Sequence, residues 1–157
     1  MRKMDVQSED LRTLAEALAA GYAREAELYG LILRLSELQK KNLEQSDDIR
    51  DFIMMLQEKD DLMRAIDKIE LDVQEAKVQW LDAPEEARAE YNGRLNELLD
   101  RLIETIEAIM RVEQGNEELL RTRKNEVEEQ LAVIRKGKKA AQAMKSFADS
   151  KYISATS

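Results

Sequence analysis

The sequence contains no cysteine and no histidine. The first absence excludes disulfides, thiolate nucleophiles and thiolate-bound metals. The second removes the commonest general base, the commonest transition-metal ligand and the Glu-x-x-His pattern of di-iron helical bundles. Acid–base chemistry would rest on carboxylates, lysines and tyrosines alone, so no enzyme, no catalytic residue, no metal site and no cofactor is expected. One proline, five glycines and 4% aromatic residues leave little material for turns and strands. The longest apolar run is Phe52-Ile53-Met54-Met55-Leu56, far short of the ~20 residues that a membrane-spanning helix needs. The opening Met1-Arg2-Lys3-Met4-Asp5 has basic residues but no apolar run behind them. Neither a signal peptide nor a membrane span is expected, and a cytoplasmic location is the natural reading.

What is present is helix-forming material. Charged residues make up 37% of the 157 and hydrophobic ones 43%, a balance suited to long amphipathic helices. The predicted fold class is all-α: an elongated antiparallel bundle or coiled coil of about three long helices with an amphipathic C-terminal segment. The net charge of −8 is unevenly spread. Nine basic residues against four acidic ones make residues 121–157 +5, and sixteen against twenty-nine make residues 1–120 −13. An acidic body argues against nucleic-acid binding, which draws its affinity from Lys and Arg displacing counterions.

The periodicity predicts three helices. Leu11, Leu14, Leu18, Leu28, Ile32 and Leu35 recur at steps of three and four over residues 8–41, with Gly21 and Glu25 filling the gaps in the stripe. Gly21 lies beside Tyr22, Ala26 and Tyr29, where plain core packing is expected rather than a shallow hollow. Ser46 before Asp47, Asp48 and Ile49 reads as the N-cap of a second helix over 47–81, with the stripe Ile49, Phe52, Leu56, Met63, Ile66, Val73 and Trp80. Asp82-Ala83-Pro84-Glu85 reads as a reversal with a capping box, Pro84 near the first position of the third helix.

The third helix, over 84–147, carries a heptad seam through Leu95, Leu99, Leu102, Ile106 and Ile109. The register continues to Ala148, but its quality changes. One column stays apolar (Leu120, Val127, Ile134, Ala141), while the other becomes Asn116, Arg123, Gln130 and Gly137 before Met144. Half of the seam is thus expected to be lost after Ile109. A straight helix over this span would be ~95 Å long at 1.5 Å per residue, longer than its partners can cover, so a bend or break is expected near Gly115 or Gly137. Residues 1–147 are expected to form a single helical-bundle domain and 148–157 a flexible tail.

The acidic pairs Glu85-Glu86, Asp60-Asp61 and Glu128-Glu129 read as solvated helix faces rather than metal or acid–base sites. Met54, Met55 and Met63 either fill core or provide an adaptable surface. Asn116 either fixes helix register or marks where packing ends. The run Arg135, Lys136, Lys138 and Lys139 either contacts an acidic partner, a phosphate-bearing surface or the acidic body, or is no more than helix-end charge.

Two stretches, SDDIRDFIMMLQEKDDLMRAIDKIE and LAVIRKGKKAAQAMKSF, resemble the FlgN-type flagellar export chaperones (the FlgN/FliT class), which are small, acidic and helical. The first has Glu58-Lys59 before acidic residues and the set Leu62, Ile66 and Ile69. The second carries the basic Gly-Lys-Lys-Ala segment after a long last helix, with Met144 where an aromatic residue is expected. The resemblance implies a cytoplasmic chaperone that binds flagellar hook-associated proteins, or a filament-cap protein, and delivers them to components of the export gate. An amphipathic client helix completing the half-formed seam is the physical counterpart of that role. The expected partner-binding residues are Leu119, Leu120, Val127, Leu131, Ile134, Ala141 and Met144, with basic contacts from Arg135, Lys136, Lys138 and Lys139 and a tail contact from Tyr152. The alternative is a coiled-coil scaffolding protein whose seam completes itself in a homo-oligomer; monomer and homodimer both remain open.

Overall fold

A computed structural model describes residues 2–156 as backbone and residues 10–146 with their side chains. The fold is all-α, with three helices in chain order: α1 (Arg2–Gln45), α2 (Arg50–Asp82) and α3 (Glu85–Thr156). Two compact units divide the chain, Met1–Asn116 and Glu117–Ser157. Helical structure runs through Gly115 and Gly137 without a break. Nothing approaches either position within 4 Å of an added Cβ, and a lone glycine costs a helix only about 1 kcal/mol relative to alanine. The expected tail at 148–157 is helical as far as Thr156. The side chain of Tyr152 lies outside the described residues.

The two reversals differ from their predicted capping. Ser46 does not cap α2: its hydroxyl accepts from the Asp48 backbone N–H at 3.1 Å, one turn too early. The N-cap position is Ile49, which makes no side-chain cap bond; Asp48, one residue earlier, accepts from the Arg50 N–H through Oδ1 at 2.9 Å. The Arg50 guanidinium also grips Asp48, and these bonds hold its carboxyl below the ordinary carboxylate value. At the second reversal Asp82 is still inside α2, Ala83 is extended, and the Pro84 carbonyl accepts from the N–H groups of Ala87 and Arg88 at 3.1 Å. Pro84 therefore stands just before the first helical residue, and Asp82 is not the N-cap of α3.

In the first unit the three helices share one core. Leu11, Ala15, Leu18, Ala19 and Tyr22 of α1 meet Val73 and Trp80 of α2 and Leu95 and Leu102 of α3. A second cluster joins Leu28 and Ile32 to Ile66, with Ile109 packed against it. Trp80 and Tyr91 meet edge to face, ring centres 6.2 Å apart, a favoured aromatic geometry. At Gly21 a Cβ would lie 2.8 Å from Val73 Cγ1. The hollow considered there is thus filled by α2, and only a residue without a side chain allows that approach.

The buried stripe of α2 is Phe52, Lys59, Ile66, Val73 and Trp80, one residue per heptad. Three residues assigned to it from the sequence, Ile49, Leu56 and Met63, are exposed by 43, 43 and 39%. Together with Ile53 they line an outer face of the helix, and Lys59 occupies the inner position that the apolar pattern had passed over.

Lys59 sits in a polar layer inside the bundle. Its ammonium donates to Gln39 Oε1 at 2.7 Å and to the Glu113 carboxylate. Gln39 Nε2 donates to the Phe52 carbonyl at 3.1 Å. The Ser36 hydroxyl lies 2.6 Å from the same Glu113 oxygen, and Asn116 Nδ2 donates to the Ser36 carbonyl at 3.0 Å. Ser36, Gln39 and Asn116 are fully buried. The sequence left two readings of Asn116 open; it ties α3 to α1, as a register-fixing residue does, and it is also the last residue of the first unit. The seam is therefore not half lost after Ile109: it continues inward as Glu113 and Asn116.

A further buried polar residue, outside that layer, lies in the middle of α1. Glu25 is only 4% exposed. Its burial and the nearby Glu70 push its carboxyl above the ordinary 4.5, Lys77 partly opposing them. The Lys77 ammonium also stands over the Tyr22 ring, 5.8 Å from its centre. A raised carboxyl pKa means that the folded protein holds this proton more tightly than the unfolded chain does. Stability contributed by the protonated group is then complete below 4.5 and is lost as pH rises through the folded value. Glu25→Gln removes that loss. We expect its urea midpoint to exceed the wild type's at pH 7 and the two to converge near pH 4; equal midpoints throughout would show that Glu25 is hydrated.

Candidate functional site

The candidate site lies in the second unit, on the part of α3 beyond Glu117. Helical geometry orders its residues. At 3.6 residues per turn Leu120, Val127, Leu131, Ile134 and Ala141 fall within a sector of about 80°. The seam residues that fill the first unit's core therefore have direct successors here. Val127, Leu131 and Ile134 are exposed by 53, 44 and 53%, and Ala141 is exposed as well. Such exposure is unusual for three consecutive bulky positions of one heptad register.

The remaining expected contacts do not all belong to this strip. Leu119 and Leu120 are half-buried rather than free. Met144, 73% exposed, projects from the flank of the helix that also carries Val133, 70% exposed. Val133 escaped the sequence reading because it lies off the heptad columns. It nevertheless widens the apolar surface, in a shallow depression lined by Glu126, Glu129, Gln130, Val133 and Ile134.

The charges around the strip are arranged by side. Lys138 stands within about 20° of its axis, while Arg121, Lys124, Arg135 and Lys139 project from one flank, about 60–120° from the axis. Lys136 projects from the back of the helix, so of the four basic residues expected to contact a partner it alone is turned away. Glu126 lies on the opposite flank and Glu129 further round, at the back near Lys136, while Glu128 stands among the basic residues and Arg123 at the strip's other edge. Arg121 is paired with Glu117 at 3.2 Å and Lys124 with Glu128 at 4.0 Å. Arg135, Lys138 and Lys139 have no ion pair among the described residues, and the sequence places no acidic residue between Gln130 and Ala148.

A cleft of about 720 Å³ lies elsewhere, at the end of the first unit beside the α2–α3 reversal. Leu11, Leu14, Pro84 and Tyr91 line it together with Asp10, Asp82, Glu86 and Glu90. Among the described residues no basic side chain lines it, and no group of three or more acidic residues is placed to hold a metal ion.

The fold and the strip together define an all-α bundle protein with an unpartnered apolar helix face. No helix among the described residues is long and apolar enough to cross a membrane. No known protein family, curated protein or solved structure matches the chain.

Proposed function

We propose that this chain is a non-catalytic carrier of partner helices: a cytoplasmic export chaperone of the FlgN type. In this reading it binds an amphipathic terminal helix of a hook–filament junction or filament-cap protein, keeps that helix from associating early and delivers it to the export gate. The observation that carries the reading is the exposure of Val127, Leu131 and Ile134 on a helix whose earlier heptads are packed. An amphipathic helix laid on such a strip buries apolar surface from both partners. The FlgN-like sequence stretches supply the identity of the clients.

The test is co-purification with hook–filament junction and cap proteins from a flagellated bacterium. Leu131→Asp with Ile134→Asp should reduce client affinity by at least ~100-fold. Each lost aliphatic contact is worth about 1.5–3 kcal/mol, and two carboxylates would be buried against an apolar client. Undiminished capture by the double variant would remove the strip from the mechanism.

The unbroken heptad register from Leu95 to Ile134 favours a second reading, a scaffold whose strip is covered by another copy of itself. Sedimentation equilibrium separates the two: a carrier stays monomeric at micromolar concentration, whereas a scaffold forms a tight oligomer that the double variant dissociates.

A further inference from the structure

We infer that the strip is built for one chemical kind of helix, an amphipathic one with carboxylates along a single edge, placed beside Arg135, Lys138 and Lys139. The inference rests on the carrier reading and specifies its client. Along the strip the apolar sector ends at Lys138, and unpaired basic side chains follow on the axis and on one flank only. The other flank carries Glu126 beside the uncharged Gln130 and Val133. In paired helices, charges bordering the apolar seam decide which partner fits and in which orientation, because like charges brought together across the seam repel. A helix with glutamates on one edge meets the cationic flank in only one direction along the strip. The opposite direction sets its acidic edge against Glu126 and takes it away from all three unpaired cations. Its carboxylates also supply the ion pairs that Arg135, Lys138 and Lys139 do not find within their own helix.

An anionic bilayer fits less well. Helices that lie on membranes present cations across the whole polar face, whereas here Glu126, Glu128 and Glu129 occupy the polar side. A second copy of this chain requires the strip to be covered in solution at ordinary concentrations.

The experiment uses the full-length chain and two fluorescein-labelled synthetic helical peptides with the same Leu/Ile face. One has glutamate at every position of a single edge, the other lysine at those positions. Fluorescence anisotropy at 50 mM salt should show the Glu-edged peptide binding at least ~10-fold tighter, the gap narrowing at 500 mM as screening grows. Arg135→Glu, Lys138→Glu and Lys139→Glu together should invert the preference; all three positions are exposed, and circular dichroism checks that the helix persists. Equal affinity for both peptides, abolished for both by Leu131→Asp with Ile134→Asp, would overturn the charge selectivity and leave the carrier reading standing. Absence of binding by either peptide, or binding that the double Asp variant does not weaken, would remove both. Tighter binding to phosphatidylserine vesicles than to either peptide would also overturn the inference. So would self-association that the double Asp variant abolishes.

Discussion

Lys59→Ala is expected to lower the stability of the bundle by about 2–4 kcal/mol, read as a fall in the urea midpoint at pH 7 with an unchanged slope. The ammonium of Lys59 is the donor on which both Gln39 Oε1 and the Glu113 carboxylate rely. Gln39 is completely buried, so its orphaned oxygen costs about 1–3 kcal/mol. The Glu113 side chain is 40% exposed and partly recovers hydration, which keeps the total below the upper end for a fully buried broken pair. Replacing the layer as a set, with Ser36→Ala, Gln39→Leu, Lys59→Met, Glu113→Leu and Asn116→Leu, is expected to be near neutral or stabilising, because no polar group is then stranded. What the apolar layer loses is a reason to prefer one helix register. A loss under about 0.5 kcal/mol in Lys59→Ala would mean that water already shares these bonds.

Ile66→Ala, one heptad further along the same column, is expected to cost about 3–5 kcal/mol, more than Lys59→Ala and without salt dependence. Ile66 is 1% exposed and lies between Leu28 and Ile32 of α1, with Ile109 of α3 packed against the same cluster. Truncation removes the transfer energy of three carbons and leaves a void that three helices, each held by its own hydrogen bonds, close only partly. For a unit of this size the thermal midpoint should fall by at least ~10 °C. A cost near 1 kcal/mol would show that the helices collapse onto the void. Lys59→Ala and Ile66→Ala together compare an orphaned polar group with a cavity in one column of one helix.

The sequence was most informative where apolar residues keep heptad spacing without interruption. Leu18, Ile32, Ile66, Val73, Trp80, Leu95 and Leu102 were all read as core and all are buried. It was least informative where a polar residue takes a core position. Ser36 and Gln39 extend the α1 seam beyond Ile32, where hydropathy instead leads to Leu35, which is only half-buried. Lys59 likewise diverted the α2 stripe onto Leu56 and Met63, three and four residues away on its exposed flank. A buried polar residue reads as buried only once its partner is known, and Lys59 is 54 positions from Glu113 along the chain. The ends at the two reversals were legible to within about a turn, whereas α1 begins six residues before and α3 runs nine beyond the expected bounds; the capping atoms were not legible, because Ser46 and Asp48 compete for neighbouring N–H groups with similar chemistry. In the strip the three exposed aliphatic residues were found by register alone, and the sidedness of Arg135, Lys138 and Lys139 follows from helical spacing once the helix is known to be unbroken.

By itself the sequence determined the helical class, the number of helices, the apolar columns and the charge contrast between body and C-terminal segment. These follow from local propensity and from periodicities of three and four, which act along the chain. Only the tertiary structure decided that Lys59, Gln39, Glu113 and Asn116 belong inside, that Gly21 admits Val73, and that the apolar column stays open from Val127 onward. Each of these depends on which residues distant in sequence come together, and burial is a property of that meeting rather than of any residue alone.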